Sequence, residues 1–271
     1  MLENTKLGFI GAGNMATALI RGMLAAHLAA PEQILVFDID SNKINKMVAA
    51  HGVLACGDNL DVVKRSDLVV LAVKPQNMKT VLAEIAPAVR GDQCFISIAA
   101  GVTLARLESA LGPQARVVRV MPNTPALIGA GAAGIARGRM ATEGDVALAR
   151  AIFEAVGTAV VLDEKHLDAV TAVSGSGPAY VFFFVEALLE AAQKVGLDRD
   201  VAGKLVKQTL LGAARMVNEV EQTPAQLREA VTSPGGTTFA ALTVMREGGF
   251  SDLIARAVQA ATARSVELGK G

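Results

Sequence analysis

An apolar run leads directly into a glycine turn in Leu7-Gly8-Phe9-Ile10-Gly11-Ala12-Gly13-Asn14-Met15-Ala16. The apolar residues up to Ile10 predict a buried strand, and the pattern from Met15 onward predicts a helix over 15–29. The glycines between them permit a tight turn and let backbone N–H groups approach a pyrophosphate at the helix N-terminus. A tight turn without a ligand is the alternative. The segment predicts a dinucleotide-binding strand–turn–helix unit.

Short apolar runs and helical patterns continue to alternate as far as about residue 162. Strands are predicted at 7–10, 34–37, 68–72, 94–98, 117–120, 134–136 and 159–162, with helices at 15–29, 41–50 and 103–111 among them. Such alternation is typical of an α/β fold of the Rossmann type, a doubly wound parallel sheet. Because the helical patterns become sparse toward its end, we expect the last two or three strands to pair antiparallel.

From about residue 163 the strand patterns stop, and helices follow one another. They are predicted at 179–195, 199–220, 224–231, 238–247 and 251–268. We therefore expect two domains, a dinucleotide-binding domain at 1–162 and an all-helical domain at 163–271. The quantity of apolar sequence in the helical half indicates burial against a second copy of the chain.

Composition and charge exclude several classes of protein. The chain has 271 residues, of which 52% are hydrophobic and 19% charged, and this composition excludes a disordered chain. Its 26 basic and 26 acidic residues leave no basic excess for binding nucleic acid. Its two cysteines, Cys56 and Cys94, form neither a disulfide framework nor a metal-site spacing, so no metal is expected.

Two observations favour a cytoplasmic protein without a membrane segment. Residues 1–6 lack the basic and apolar regions of a signal peptide. The most apolar segment, 179–185, is followed by Glu186 and Glu190, and it is shorter than the ~20 residues that a membrane span needs.

An acidic residue, Asp38, ends the second predicted strand. A carboxylate at this place usually accepts a hydrogen bond from the 2′-hydroxyl of the adenosine ribose and disfavours a 2′-phosphate. Asp40 adds negative charge, and Lys43 is the nearest cation that could offset both. NADH is therefore at least as well suited as NADPH. A cap for the helix that begins near Ser41 is the alternative role of Asp38.

Two more loops follow predicted strands at the same edge of the sheet. Ala72-Val73-Lys74-Pro75 follows the strand at 68–72, and Ala100-Gly101 follows the strand at 94–98. The carboxyl ends of the strands border the cofactor crevice in a doubly wound sheet. Lys74 is a candidate cofactor contact, with a solvated surface lysine as the alternative.

The helical half contains two glycine-rich segments. Ser233-Pro234-Gly235-Gly236-Thr237-Thr238 ends at the start of a helix and offers N–H donors that suit a small carboxylate. Ser174-Gly175-Ser176-Gly177-Pro178 precedes the long apolar helix. Plain connectors between helices are the alternative for both.

Taken in order, these motifs resemble the pyrroline-5-carboxylate reductase family. The resemblance runs from residue 8 to about residue 250, and it includes Met121-Pro122-Asn123-Thr124-Pro125 and Val173-Ser174-Gly175-Ser176-Gly177-Pro178-Ala179-Tyr180. It implies reduction of 1-pyrroline-5-carboxylate to proline with NADPH or NADH, the last step of proline synthesis. It also implies a homodimer formed by the helical domain, with five dimers in a decamer.

The resemblance also assigns residues to a site. The implied cofactor contacts are Ile10, Gly11, Ala12, Gly13, Asn14, Met15, Asp38, Asn59, Ala72, Val73, Lys74 and Ala100. The implied substrate pocket contains Glu164, Ser233, Gly236, Thr237 and Thr238. Many relatives have Ser, Thr or Asn-Arg in place of Asp38, which argues against assuming their frequent preference for NADPH. Some relatives have Asn beside the substrate in place of Ala230, so this chain lacks the contact that the asparagine side chain would make.

The available side chains suit an imine better than a ketone. Reduction of a ketone needs a proton donor, commonly Lys, His or Tyr. The helix after 174–178 has no lysine before Lys194, and the three histidines, His27, His51 and His166, have no evident place at the crevice. A protonated imine is already electrophilic and becomes a neutral amine, so orientation of the ring and exclusion of water suffice. Thr238 is the candidate catalytic residue, with its hydroxyl on the ring nitrogen.

Two rival functions remain open. One is the reduction of a different imine or of a 2-oxo acid, which substrate panels would distinguish. The other is a sensor or scaffold that binds NAD(P) without turnover, which would bind the cofactor but not oxidise it.

Overall fold

The computed structural model describes residues 5–270. One compact unit runs to Pro178 and resumes at Ala260, and the other comprises Ala179–Gln259. The absence of a signal peptide is predicted from residues 1–6, of which 1–4 lie outside the described residues. The predicted domain boundary after residue 162 directly follows the last strand and remains a prediction.

The first unit contains a sheet of eight strands. They are β1 (Leu7–Ile10), β2 (Ile34–Phe37), β3 (Leu54–Ala55), β4 (Leu68–Leu71), β5 (Cys94–Ser97), β6 (Arg116–Met121), β7 (Gly131–Arg137) and β8 (Gly157–Val161). Their order is β3-β2-β1-β4-β5-β6-β7-β8, and every neighbouring pair is parallel except β6 and β7. This order confirms the predicted doubly wound, mainly parallel sheet.

Two details of the sheet differ from the sequence-based expectation. The two-residue strand β3 was too short to give a periodic pattern. The expectation that the last strands pair antiparallel holds only for β6 and β7, whereas β8 is parallel to β7. A parallel neighbour requires a crossover, and α6 (Glu143–Glu154) provides it. The sequence signal for α6 is the capping box between Thr142 and Asp145.

Helices cover both faces of the sheet. One core contains residues of α1 (Asn14–Ala25), α2 (Ser41–His51) and α6, and the other contains residues of α3 (Asn59–Arg65), α4 (Pro75–Ile85) and α5 (Leu104–Leu111). Successive strand residues alternate between these two cores, as Phe9 and Ile10 do. Because both faces are buried, the strands are continuous apolar runs rather than alternating ones.

Helices account for the described chain after β8, as predicted. They are α7 (Leu167–Val170), α8 (Gly177–Lys194), α9 (Arg199–Glu219), α10 (Pro224–Ala230), α11 (Thr237–Glu247) and α12 (Phe250–Lys270). The glycine-rich segment 174–178 is not an open connector, because Thr171–Gly175 forms a π-helical turn that leads into α8.

One helical stretch, Glu164–Lys194, is long and apolar enough to cross a membrane by length and composition alone. The apolar segment 179–185 is only part of this stretch, because the helical turns before α8 extend it toward the N-terminus. Large apolar side chains on α8 are exposed, including Phe182 and Phe183. This helix therefore presents an apolar surface that stays uncovered within residues 5–270.

Candidate active site

The glycine turn after β1 requires glycine at its first position. Gly11 has φ +101°, and a Cβ there would lie 2.7 Å from the carbonyl oxygen of Ala72. The Gly11 amide donates to the carbonyl of Phe37 at 2.7 Å. Gly11 therefore joins the carboxyl ends of β1, β2 and β4 in a backbone-to-backbone approach that no side chain would allow.

The N-terminus of α1 is open for a ligand. Gly13 is its N-cap residue, no side chain caps the helix, and its first turn contains no acidic residue. A Cβ at Gly13 would meet no atom within 4 Å. This terminus offers a pyrophosphate free N–H groups, the positive end of the helix dipole and open space.

Asp38 supports the glycine turn from β2. Its carboxylate accepts the Ala12 amide at 2.8 Å and the Asp40 amide at 2.9 Å, and Lys43 Nζ lies 3.5 Å away. Burial favours the neutral acid, but the two amides and Lys43 outweigh it and hold the pKa of Asp38 below its ordinary value. The carboxylate is therefore ionised and fixed beside the turn.

The alternative role of Asp38 as a helix cap belongs instead to its neighbour. The side chain of Asp40 accepts the Asn42 amide at the start of α2. Lys43 lies within ion-pair distance of both aspartates, as the sequence suggested. Contact between Asp38 and an adenosine ribose remains a prediction.

The other predicted cofactor positions lie at the same edge of the sheet. Ala72, Val73 and Lys74 connect β4 to α4, of which Lys74 is the N-cap residue. Lys74 is exposed, and within residues 5–270 its ammonium has no ion-pair partner. Asn59, at the start of α3, is buried and donates to Glu84 at 2.8 Å. The free ammonium of Lys74, at the uncapped N-terminus of α4, is suited to a phosphate.

The loop that contains Ala100 is packed against the last turns of α12. Gly101 has φ +74°, and a Cβ there would lie 3.2 Å from Leu268 Cβ. Three residues before Leu268, the buried Ser265 donates to Asp168 Oδ1 at 2.6 Å. The end of α12 thus supports the loop at the carboxyl end of β5.

Glu164 is bound to two groups of the same unit. Its Oε1 accepts the Leu104 amide, at the start of α5, at 2.6 Å and Arg119 Nη1 at 2.9 Å. Arg119 is a buried residue of β6. The predicted pocket residue Glu164 is therefore fixed by an arginine that sequence reasoning missed. The available signal was a charged residue inside the apolar strand Arg116-Val117-Val118-Arg119-Val120-Met121.

The segment 233–238 belongs to the other unit and forms the start of α11. Gly235 has φ +70°, and Gly236 is the N-cap residue of α11, which no side chain caps. A Cβ at Gly236 would lie 2.5 Å from Ser233 Oγ and 3.2 Å from the Ser233 carbonyl oxygen, so a larger residue there would displace the serine hydroxyl. Within the described chain the Thr238 hydroxyl has no hydrogen-bond partner, and the residue is half-buried. The turn offers free N–H groups and a free hydroxyl together.

The structure brings the predicted cofactor positions and Glu164 together in one unit, and it groups Ser233, Gly236, Thr237 and Thr238 in the other. Residues 5–270 contain no group of three or more histidine, cysteine or acidic side chains that could hold a metal ion. The two sets of free N–H groups suit two anionic groups, one on a dinucleotide and one on a small substrate.

Comparisons with known proteins agree along nearly the whole chain. The family model for pyrroline-5-carboxylate reductase dimerisation matches residues 164–268, and that for the coenzyme F420-dependent NADP oxidoreductases matches residues 6–101. A pyrroline-5-carboxylate reductase of Methanosarcina acetivorans is 44% identical over 99% of this chain and 100% of its own length.

Two solved structures have the same fold. A pyrroline-5-carboxylate reductase from Coxiella burnetii superposes with a TM-score of 0.93 at 40% identity and covers 99% of this chain and 100% of its own. The Plasmodium falciparum pyrroline carboxylate reductase, with NADP bound, has a TM-score of 0.88 at 34% identity and covers 98% of this chain and 99% of its own.

Proposed function

This chain belongs to the pyrroline-5-carboxylate reductase family, and we propose how its residues divide the work of the reaction. It is an NAD(P)H-dependent oxidoreductase that reduces 1-pyrroline-5-carboxylate to L-proline, the last step of proline biosynthesis. The observation that supports the assignment of roles is that the helix N-termini at Gly13 and at Gly236 are both uncapped and both follow a glycine turn.

The residues of the first unit hold the cofactor. A bound nicotinamide cofactor supplies the hydride. The N–H groups at 13–15 bind its pyrophosphate, and Lys74 supplies a cation at the same edge. Asp38 fixes the turn through Ala12, and its carboxylate faces the adenosine ribose. Asn59, Val73 and Ala100 line the remaining edge.

The residues at the start of α11 hold the substrate. The N–H groups of Gly236, Thr237 and Thr238 bind its carboxylate, as a helix N-terminus favours a negative charge. The Thr238 hydroxyl contacts the ring nitrogen, and Ser233 lies in the same turn. The resemblance to the family also assigns Glu164 to the substrate. A protonated imine accepts hydride without a new negative charge to stabilise, so this site needs orientation and exclusion of water more than an acid.

The chain contains the dimerisation region of this family. We propose that it forms a homodimer by covering the exposed apolar side chains of α8, and that five dimers assemble into a decamer. We also propose that the enzyme is cytoplasmic and binds neither nucleic acid nor membranes. The balance of 26 basic and 26 acidic residues supports the absence of nucleic-acid binding.

Steady-state assays with 1-pyrroline-5-carboxylate, run in parallel with NADH and NADPH, test the proposed function. Oxidation of either cofactor with formation of proline is the expected result. A panel of six-membered cyclic imines and 2-oxo acids provides the comparison. Turnover of 2-oxo acids alone, or cofactor binding without any turnover, would support one of the rival functions instead.

A further inference from the structure

Asn123 belongs to the segment 121–125 but takes no part in the proposed cofactor and substrate contacts. It follows β6, whose last residue is Met121, and it is the N-cap residue of the 3₁₀ turn Thr124–Ile128. An asparagine at this position usually caps its own helix with its side-chain oxygen. Here the side chain makes no cap hydrogen bond. Its polar groups are therefore available to other elements.

Both ends of the Asn123 side-chain amide bind backbone groups of other elements. Oδ1 accepts the Ala132 amide of β7 at 2.8 Å, and Nδ2 donates to the Ser174 carbonyl at 3.0 Å. Ala132 is nine residues away in the chain, and Ser174 is 51 residues away. The side chain thus connects the end of β6 to the start of β7 and to the π-helical turn Thr171–Gly175.

The Ser174 carbonyl needs a donor from outside its own helix. Pro178 stands four residues later and has no N–H, so the donor that an α-helix would supply to this carbonyl is missing. The hydrogen bonds of the turn are also shifted, because the Ser176 amide donates to the Thr171 carbonyl, five residues back, at 2.8 Å. Such π-helical turns are frequent at functional sites. Asn123 supplies the hydrogen bond that the proline removes.

Asn123 holds this turn at the edge of the sheet where the nicotinamide half of a dinucleotide is expected. β1, β4, β5 and β6 are parallel, so Asn123 follows β6 at the same edge as the glycine turn. A dinucleotide crosses that edge with its pyrophosphate at the helix after β1. With the adenosine ribose beside Asp38, at the end of β2, the nicotinamide half extends the other way, toward β4, β5 and β6.

We propose that Asn123 is a positioning residue for hydride transfer, which holds the segment 171–178 at the end of β6 as a fixed wall beside the nicotinamide. This inference rests on the proposed cofactor contacts. Because the groups proposed to bind the pyrophosphate and the ribose follow β1 and β2, Asn123 affects hydride transfer and not the affinity for the cofactor. A displacement of about 1 Å in such a support lowers the rate by about 100-fold.

Asn123→Asp tests, in the enzyme without cofactor, whether this side chain holds the turn. The substitution keeps an oxygen for the Ala132 amide but replaces the donor to Ser174 with a second acceptor. Amide hydrogen exchange, followed by mass spectrometry, is expected to become at least about 10-fold faster in 171–178 and to stay unchanged in β1. Asn218→Asp is the matched control, since Asn218 Nδ2 donates to a backbone carbonyl of α9 at 3.2 Å. Wild-type exchange in 171–178 of Asn123→Asp would overturn the proposal.

Kinetics of the same variants test whether the fixed turn serves hydride transfer. In Asn123→Asp we expect kcat to fall by about 10- to 100-fold, with the dissociation constant of NADPH within about 2-fold of wild type. The isotope effect on kcat, measured with NADPH deuterated at the transferred position, should rise because hydride transfer becomes rate-limiting. A merely structural role would lower the amount of active enzyme and leave the isotope effect unchanged. A kcat and an isotope effect equal to those of Asn218→Asp would overturn the proposal.

Asn123→Gln covers the case in which the aspartate variant does not fold. Glutamine keeps both hydrogen-bonding groups and moves them by about one methylene, so kcat is expected to fall by about 10-fold and the isotope effect to rise. Wild-type values of both in Asn123→Gln would overturn the proposal. A wild-type chain that oxidises neither cofactor with 1-pyrroline-5-carboxylate would instead refute the proposed function, and with it the role of Asn123 in hydride transfer.

Discussion

Arg119 and Glu164 form an ion pair whose glutamate oxygen also accepts the Leu104 amide, at 2.9 Å and 2.6 Å. One atom thus connects β6, the start of α5 and the segment after β8. Because α5 follows the loop that contains Ala100, the position of a predicted cofactor contact depends on an arginine buried in the sheet.

Replacing this arginine should weaken both the fold and cofactor binding. In Arg119→Met the carboxylate of Glu164 keeps only the Leu104 amide as a partner, so the bond that anchors the start of α5 is no longer held to the sheet. We expect the free energy of unfolding to fall by about 1–3 kcal/mol and KM for the cofactor to rise. Urea denaturation and steady-state kinetics measure these effects. Arg119→Lys should restore part of the stability and part of the cofactor binding. An Arg119→Met variant with wild-type stability and wild-type KM would refute the role of Arg119 in holding the loop.

Asp38 should influence the choice between the two cofactors. Asp38→Asn removes a negative charge beside the predicted ribose site, so the ratio of kcat/KM for NADPH to that for NADH is expected to rise by about 10-fold. Asp40→Asn removes the same charge from a helix cap two residues away and should change the ratio less. Equal ratios for wild type and Asp38→Asn would leave Asp38 with a structural role alone.

Gly101 offers a way to displace the cofactor loop by a single methyl group. Gly101→Ala adds left-handed strain of about 1 kcal/mol and a contact with Leu268 that is too close. Gly129→Ala is a matched control, because Gly129 has a similar left-handed φ, 76°, but has open space around it. We expect both variants to lose stability and Gly101→Ala alone to raise KM for NADPH. Equal KM values for the two would show that the packing against α12 does not position the loop.

Thr238 should contribute one polar contact to the reaction. Thr238→Ala is expected to reduce kcat/KM for 1-pyrroline-5-carboxylate by about 10- to 100-fold, the effect of losing one good hydrogen bond. Thr243→Ala is the control on the same helix, since its hydroxyl donates to the Phe239 carbonyl at 3.0 Å. Full activity of Thr238→Ala would remove Thr238 from the site.

The two thiols should make the fold sensitive to alkali. Burial raises the pKa of Cys56 to about 12, with Asp61 adding to it, and burial also raises the pKa of Cys94. Groups whose pKa is raised by folding contribute stability below their unfolded pKa, which is about 8.5 for cysteine, and lose that contribution as the pH rises. We therefore expect the free energy of unfolding to decline above about pH 8.5. Urea denaturation at a series of pH values measures this decline, and Cys56→Ala should reduce it. If the free energy of unfolding of Cys56→Ala fell with pH as steeply as that of the wild type, Cys56 would not cause the decline.

The sheet was predictable wherever its strands are buried on both faces. β1 and β2 match their predicted bounds, because continuous apolar runs flanked by turns leave few alternatives. The two-residue β3 and the direction of β8 were not predictable in this way. Pairing direction depends on how the chain crosses between strands, and a local pattern does not record this.

The site was predictable where a backbone conformation demands glycine and unpredictable where distant residues meet. Gly11 and Gly236 are recognisable from their motifs, and at Gly11 a close approach to the backbone of Ala72 requires glycine. The hydrogen bond from the Ala12 amide to Asp38 and the ion pair of Arg119 with Glu164 join residues that are far apart in sequence. Such contacts arise from the topology of the sheet.

The order of the strands also has a consequence for the time course of folding. From β4 to β8 each strand lies beside the next one in the chain, whereas β1 reaches β4 only by closing the loop between Leu7 and Leu68. Long closures cost entropy before their contacts offset it, so they slow folding. The glycine turn exists only once β1, β2 and β4 have met. Refolding chains should therefore acquire NADPH binding after most of their sheet has formed, and the fluorescence of bound NADPH reports that late step.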